Sequence, residues 1–139
     1  MEKQYLEKAY QQALKAYKKN EVPIGAVIVK NGVIIGKGYN LKEKKQNVTK
    51  HAEIIAISNA NKKIKNWRLD DCDLYVTLEP CMMCLGAILQ ARIKNVYYVI
   101  PAENSFLNHI TNKKTNFVQI DFDNKCLELI QKFFNNKRN

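Results

Sequence analysis

The sequence predicts an α/β fold in three layers, a mixed sheet of about five strands with helices on both faces. Three observations carry that expectation. Two apolar, β-rich runs near the start are joined by Asn-Gly, the strongest short hairpin signal. Beyond the hairpin, short runs rich in Val, Ile and Tyr alternate with stretches of helical periodicity, which implies crossovers and parallel strands. The 139 residues are 46% hydrophobic and 26% charged, enough for a core and expected to form one domain over 1–139.

Each element follows from local pattern. Residues 3–19 place Leu6, Ala9, Tyr10, Ala13, Leu14 and Tyr17 at helical spacing, so an amphipathic helix opens the chain. VPIGAVIVK is the first strand, Asn31-Gly32 the turn with positive φ at both residues, and VIIGKGYN the second strand. The polar LKEKKQNVTK reads as a loop. Ile54, Ile55, Ile57 and Ala60 mark a helix over 51–64, with Thr49 near its start as a cap. DLYVTL is the third strand. Pro80 suits the first turn of a helix over 81–91, where its missing N–H costs nothing. NVYYVI is the fourth strand, 101–116 reads as loop, and FVQIDF offers a fifth strand. Cys126–Phe134 forms a last helix with Leu127, Ile130 and Phe134 on one face, and NNKRN reads as a frayed tail.

Charge narrows the partners. The formal net charge is +10, which fits a polyanion, nucleic acid above all. Nearly all of it is lysine, with only Arg68, Arg92 and Arg138, and a lysine- and asparagine-rich chain is also what AT-rich coding produces. No apolar run approaches the roughly 18–20 residues that span a bilayer. The first twenty residues lack an apolar signal core and carry Glu2 and Glu7, so no secretory signal is read and a cytoplasmic, reducing location is expected. Four cysteines there point to metal or thiol chemistry more than to disulfides.

Cys81 and Cys84 form a Cys-x-x-Cys, which alone leaves a redox pair, a structural zinc and a catalytic zinc open. His51 and Glu53, at the start of the preceding helix, weigh toward the last. Both helix N-termini follow strand exits and can converge on one edge of the sheet, where ligands commonly bind. One imidazole and two thiolates make three zinc ligands and leave the fourth position for water. Zinc lowers the pKa of that water to about 7, and Glu53 is placed to carry its proton to a ring nitrogen and a leaving amine. A redox pair needs no upstream His-x-Glu. A structural zinc needs a fourth ligand, and the spare candidates Cys72, His109 and Cys126 have no convincing spacing.

His-x-Glu with a downstream Pro-Cys-x-x-Cys is the signature of the zinc nucleobase deaminases. In NEVPIGAVIV, GKGYN, HAEIIAI, LYVTLEPCMMCLGAILQARI and FFNNKR the chain resembles the bacterial-type tRNA-specific adenosine deaminases. The resemblance covers about 20–100 and the last helix. It implies a cytidine-deaminase-like α/β/α fold and hydrolysis of wobble adenosine in tRNA to inosine, with release of ammonia. By that similarity His51, Cys81 and Cys84 hold one zinc per subunit, and Glu53 is the proton shuttle. Asn40 contacts the flipped base, and Ile24 and Ala52 line its pocket. The implied partners are the anticodon arm of a tRNA, by family expectation arginine tRNA, and a second subunit in a homodimer. Free nucleobase or nucleoside deaminases of guanine or cytosine type share both zinc motifs, but YVTLEPCMMC looks more like the tRNA enzymes. A non-catalytic, zinc-stabilised RNA-binding relative would be expected to lose Glu53, which is present.

Lys42, Lys44, Lys45 and Lys50 cluster before His51, and Lys113, Lys114, Lys132, Lys137 and Arg138 lie in the last third, where they could meet phosphates. One stretch departs from the family. VIPAENSFLNHITNKKTN lacks the usual Gly-Ala-x-Asp and its glycines, and Ala102 stands where the family has Asp. The departure implies altered or relaxed recognition of nucleotides flanking the target.

Overall fold

Five strands form one mixed sheet in the order β2-β1-β3-β4-β5. The computed structural model describes residues 2–110 and 114–138. Its elements are α1 (Glu2–Lys18), β1 (Gly25–Lys30), β2 (Val33–Tyr39), α2 (Lys42–Lys45), α3 (Ala52–Ile64), β3 (Cys72–Leu78), α4 (Met82–Ala91), β4 (Asn95–Ile100), a 3-10 turn (Leu107–His109), β5 (Asn116–Gln119) and α5 (Lys125–Arg138). The central β1 runs antiparallel to both β2 and β3, while β3–β4 and β4–β5 are parallel. Asn31 and Gly32 turn the hairpin at φ of 50° and 77°, the left-handed values that this tight connection needs.

Strand periodicity sends alternate side chains to opposite faces. Ala26, Ile28, Leu74, Val76 and Val96 pack with Ala52, Ala56 and Ala60 of α3 and Ile88 of α4 in the larger core. Val27, Val29 and Tyr75 meet Leu6 of α1 in a second cluster, joined at its margin by Ile120 and Phe122. Helices α1 and α5 touch each other, as do α3 and α4, so the sheet is sandwiched as expected. At Gly38 the helix backbone lies directly on the strand. A Cβ there would stand 2.2 Å from the Ala52 carbonyl oxygen and 2.6 Å from the Ala56 nitrogen. This contact seats the first turn of α3, and with it His51 and Glu53.

Several local expectations are corrected. The stretch read as a polar loop contains the short helix α2. Thr49 does not cap α3; its hydroxyl donates to Asn47 Oδ1 at 2.6 Å, and His51 is the N-cap residue without a side-chain cap bond. Pro80 stands before the helix rather than in its first turn, because Cys81 takes the N-cap position of α4. A 3-10 turn interrupts the segment read as structureless, and β5 ends at Gln119 because Ile120 and Phe122 turn toward the core.

The last helix is rotated from the predicted face. Cys126, Leu129 and Phe133 are buried, whereas Leu127 and Phe134 are 41% and 45% exposed. Two adjacent apolar stripes compete in this sequence, and packing of Tyr17 of α1 edge-on to Phe133 at 6.5 Å favours the other one. The helix also continues through Asn135 and Asn136 to Arg138, where fraying was expected. No helix among the described residues is long and apolar enough to cross a membrane.

Candidate metal centre and active site

His51 and Cys81 are the N-cap residues of α3 and α4, both in extended backbone conformation. The sheet order puts β1 between the strands that lead to these helices and brings both N-termini to one edge. Cys84, one turn into α4, faces the same way. His51 Nδ1 lies 3.7 Å from Cys81 Sγ and 3.6 Å from Cys84 Sγ. The three ligand atoms lie within 4.8 Å of one another, and among the described residues no fourth metal-binding side chain joins them. Cys72, Cys126 and His109, the spare candidates for a structural zinc, are not part of the group, and all four cysteines are free thiols.

The donor set fits zinc. Tetrahedral Zn–S of about 2.3 Å and Zn–N of about 2.1 Å set N···S separations of about 3.6 Å, which the two observed distances match. Cys84 is buried but Cys81 is exposed and His51 only half-buried, so one side of the triangle is open to solvent. That is the arrangement of a site that binds a reactant rather than a closed structural knuckle.

Electrostatics at the site follow from this packing. A hydrogen bond from the Cys84 thiol holds the Cys81 thiol down at about 5, against the opposing effect of burial; the Cys84 and Met83 backbone N–H groups and nearby His51 also contribute. The helix N-terminus favours the same thiolate. Cys84 is driven the other way by that hydrogen bond and by burial. A divalent cation reverses this, since a coordinating thiol ionises outright. Glu53 is buried at 4% exposure beside Cys84. Burial, and next the proximity of Cys81, push its carboxyl up to about 7.

The remaining expected site residues occupy defined places in the fold. Asn40, buried at the end of β2, donates its backbone N–H to the Ile24 carbonyl at 3.2 Å. Its Nδ2 donates to the Val22 carbonyl at 3.3 Å, and its Oδ1 accepts from Lys42 N–H at 3.2 Å. An amide has two N–H groups and two lone pairs, so one of each remains for a ligand. Ile24 is half-buried against the larger core, and Ala52 is fully buried beneath Gly38. Lys44 and Lys45 are exposed on α2, while Lys42 and Lys50 are half-buried. Lys132 and Lys137 lie over the rings of Tyr17 and Phe133, at 5.6 and 5.7 Å. Lys113 lies outside the described residues.

Sequence reasoning passed over Glu21 and Glu79. Glu21 is 1% exposed, and its carboxylate accepts the backbone N–H groups of Glu43 at 3.0 Å and Lys44 at 2.6 Å. Glu79 donates its backbone N–H to the Ile100 carbonyl at 2.8 Å and accepts the Ala102 N–H at 3.2 Å, which fastens the exit of β4 to the cysteine segment. Their only sequence signal is an acidic residue beside a proline-containing apolar run.

The profile of the MafB19-like deaminases matches residues 1–138. The chain belongs to this deaminase family. It is 43% identical to the tRNA-specific adenosine deaminase of Buchnera aphidicola, over 94% of this chain and 91% of that protein. A solved tRNA:A34 deaminase, from work on A-to-I editing at the wobble position of transfer RNA, superposes with a TM-score of 0.78. That match is 35% identical and covers 84% of this chain and 97% of the other. The guanine deaminase of Bacillus subtilis superposes at 0.69 with 35% identity, covering 95% of this chain and 92% of that one. Within the deaminases, the kinship read from the motifs is borne out, as is the α/β/α fold.

Proposed function

We propose that this protein is a hydrolase that converts adenosine at the wobble position of tRNA to inosine and releases ammonia. One observation carries the reading. The imidazole of His51 and the thiols of Cys81 and Cys84 meet at the separations of a tetrahedral metal site, with the buried carboxyl of Glu53 alongside. Relatives named for this reaction, aligned over nearly the whole chain, support the choice of substrate.

His51 Nδ1, Cys81 Sγ and Cys84 Sγ would hold one zinc per subunit. Zinc at such a site supplies a water that is nucleophilic at neutral pH. Glu53 takes one proton of the attacking water and gives it to the ring nitrogen next to the reacting carbon, then takes the second from the hydroxyl now on that carbon and delivers it to the departing amine. One water is consumed and one ammonia leaves. Without bound metal, burial already lifts this carboxyl above the usual carboxylate range, and a carboxyl so placed can both take and give a proton. Asn40 offers its free N–H and lone pair to the base edge, beside an apolar wall from Ile24, while Ala52, fully buried beneath Gly38, backs the site from the core. A base in this pocket must leave its stack, which a flexible anticodon loop permits at low cost. The lysines of 42–50 and of α5 meet the flanking phosphates.

The same reading places the protein in the cytoplasm as a homodimer of single-domain subunits acting on the anticodon arm, with arginine tRNA as the first candidate. Ala102 offers no carboxylate to a sugar hydroxyl, so discrimination at the nucleotides flanking the target is relaxed. The kinship with guanine deaminase keeps one competing reading, a free-base deaminase. Inosine formation on a panel of anticodon stem-loop RNAs, beside free guanine, cytosine and adenosine, decides between them. Conversion confined to the free bases would overturn the tRNA assignment.

A further inference from the structure

We infer that Glu21 is a positioning residue for the substrate side of the pocket, acting through the 41–50 connector on Asn40. The inference rests on the reading of Asn40 as the base contact. Glu21 leaves α1 by donating its N–H to the Ala16 carbonyl at 3.0 Å, and its side chain is almost fully buried. Its carboxylate reaches 22 residues along the chain to α2. That helix has four residues and no side-chain cap from Leu41, the residue at its N-cap. A helix so short does not persist unaided.

Its first three N–H groups are nevertheless all bonded. Asn40 Oδ1 accepts from Lys42, Glu21 Oε1 from Glu43 and Glu21 Oε2 from Lys44. The Lys45 N–H then makes the first bond within the turn, to the Leu41 carbonyl at 2.9 Å. Asn40 ties back through Nδ2 to the Val22 carbonyl, next to Glu21. Two buried side chains therefore lace the α1–β1 connector to the segment between β2 and α3. Leu41 N–H closes the base of that segment on the Lys50 carbonyl at 2.9 Å, one residue before His51. Bonds from an ionised carboxylate to backbone N–H groups are among the stronger ones in proteins. Without Glu21, Asn40 would still cap Lys42 but its amide would no longer be held in one orientation by a fixed α2. The zinc ligands, set by the N-termini of α3 and α4, do not depend on this lacing. Glu21 therefore governs substrate binding rather than turnover.

The test compares wild type with Glu21→Gln and Glu21→Ala. In the Gln variant an NH2 group faces a backbone N–H, so one of the two bonds is lost with little change of shape. The expected result is a KM for an anticodon stem-loop RNA raised about tenfold, with kcat within about threefold of wild type and one zinc retained per chain. Amide exchange at 43–44 should quicken while exchange in α3 stays unchanged. The Ala variant should shift KM further; if it does not fold, the Gln variant decides alone. An unchanged KM overturns the inference, and so does a parallel loss of kcat and zinc, which marks a purely structural role. Failure of wild type on every RNA would instead refute the functional reading. Exchange at 43–44 then decides the clamp by itself, and unchanged protection in Glu21→Gln overturns it.

Discussion

Glu53 holds a buried carboxyl against the Cys84 thiol and its own backbone N–H, and this single placement has consequences for rate and for stability. As proton carrier it should be indispensable. Glu53→Ala is expected to bind zinc and stem-loop RNA as wild type does, while single-turnover inosine formation slows by about 10³-fold or more. Retention of wild-type turnover would remove Glu53 from the mechanism. The same burial costs stability once the metal is stripped. The folded pKa of about 7 lies above the ordinary 4.5, so the contribution is fully present below about pH 4.5 and is lost as pH rises through 7. The loss is up to about 3 kcal/mol. Metal-free Glu53→Gln has no such charge to bury. Its melting temperature relative to metal-free wild type should rise between pH 5 and 8. A flat difference would show that the carboxyl reaches solvent.

The elements bring these residues together through very close backbone contacts. Gly38→Ala must push the first turn of α3 off β2, since the new Cβ meets backbone rather than a movable side chain. It is expected to lower stability by about 2 kcal/mol or more and to weaken zinc retention, because His51 and Glu53 ride on that turn. Gly86, exposed in α4 with nothing within 4 Å of an added Cβ, is the control. Gly86→Ala should gain about 0.5–1 kcal/mol of helix propensity at unchanged zinc content. Denaturant melts with metal analysis distinguish the two variants. At this scale the sequence was legible where one periodicity was available, as in α1, where Leu6, Ala9 and Ala13 are buried as expected. It misled in α5, where Cys126-Leu129-Phe133 and Leu127-Ile130-Phe134 are equally good stripes. It was silent on α2, whose caps come from Glu21 and Asn40 rather than from its own first turn.

Over the whole molecule the metal should act as a clasp, because its ligands come from two helices rooted on different strands. Chelation of zinc is expected to abolish inosine formation and to lower the melting temperature by about 5 °C or more, with both restored by adding zinc back. A melting temperature indifferent to chelator would mean that the helix ends hold their places unaided. The net charge of +10 acts at long range. Raising salt from about 50 to 200 mM should raise KM for stem-loop RNA about tenfold at nearly constant kcat. Salt-independent KM would assign recognition to the pocket alone. The His51–Cys81–Cys84 cluster was readable in the sequence because its members are identified by residue type and local spacing, and both are properties of the chain itself. Strand and helix existence was readable for the same reason, since burial on one face imposes its period locally. Tertiary structure alone decided that the two helix N-termini stand 3.6–3.7 Å apart at their ligand atoms. It alone decided which stripe of α5 turns inward, and that Glu21 caps the first turn of α2. Those outcomes depend on contacts between residues far apart in sequence, whose free energies appear only when the partners are brought together.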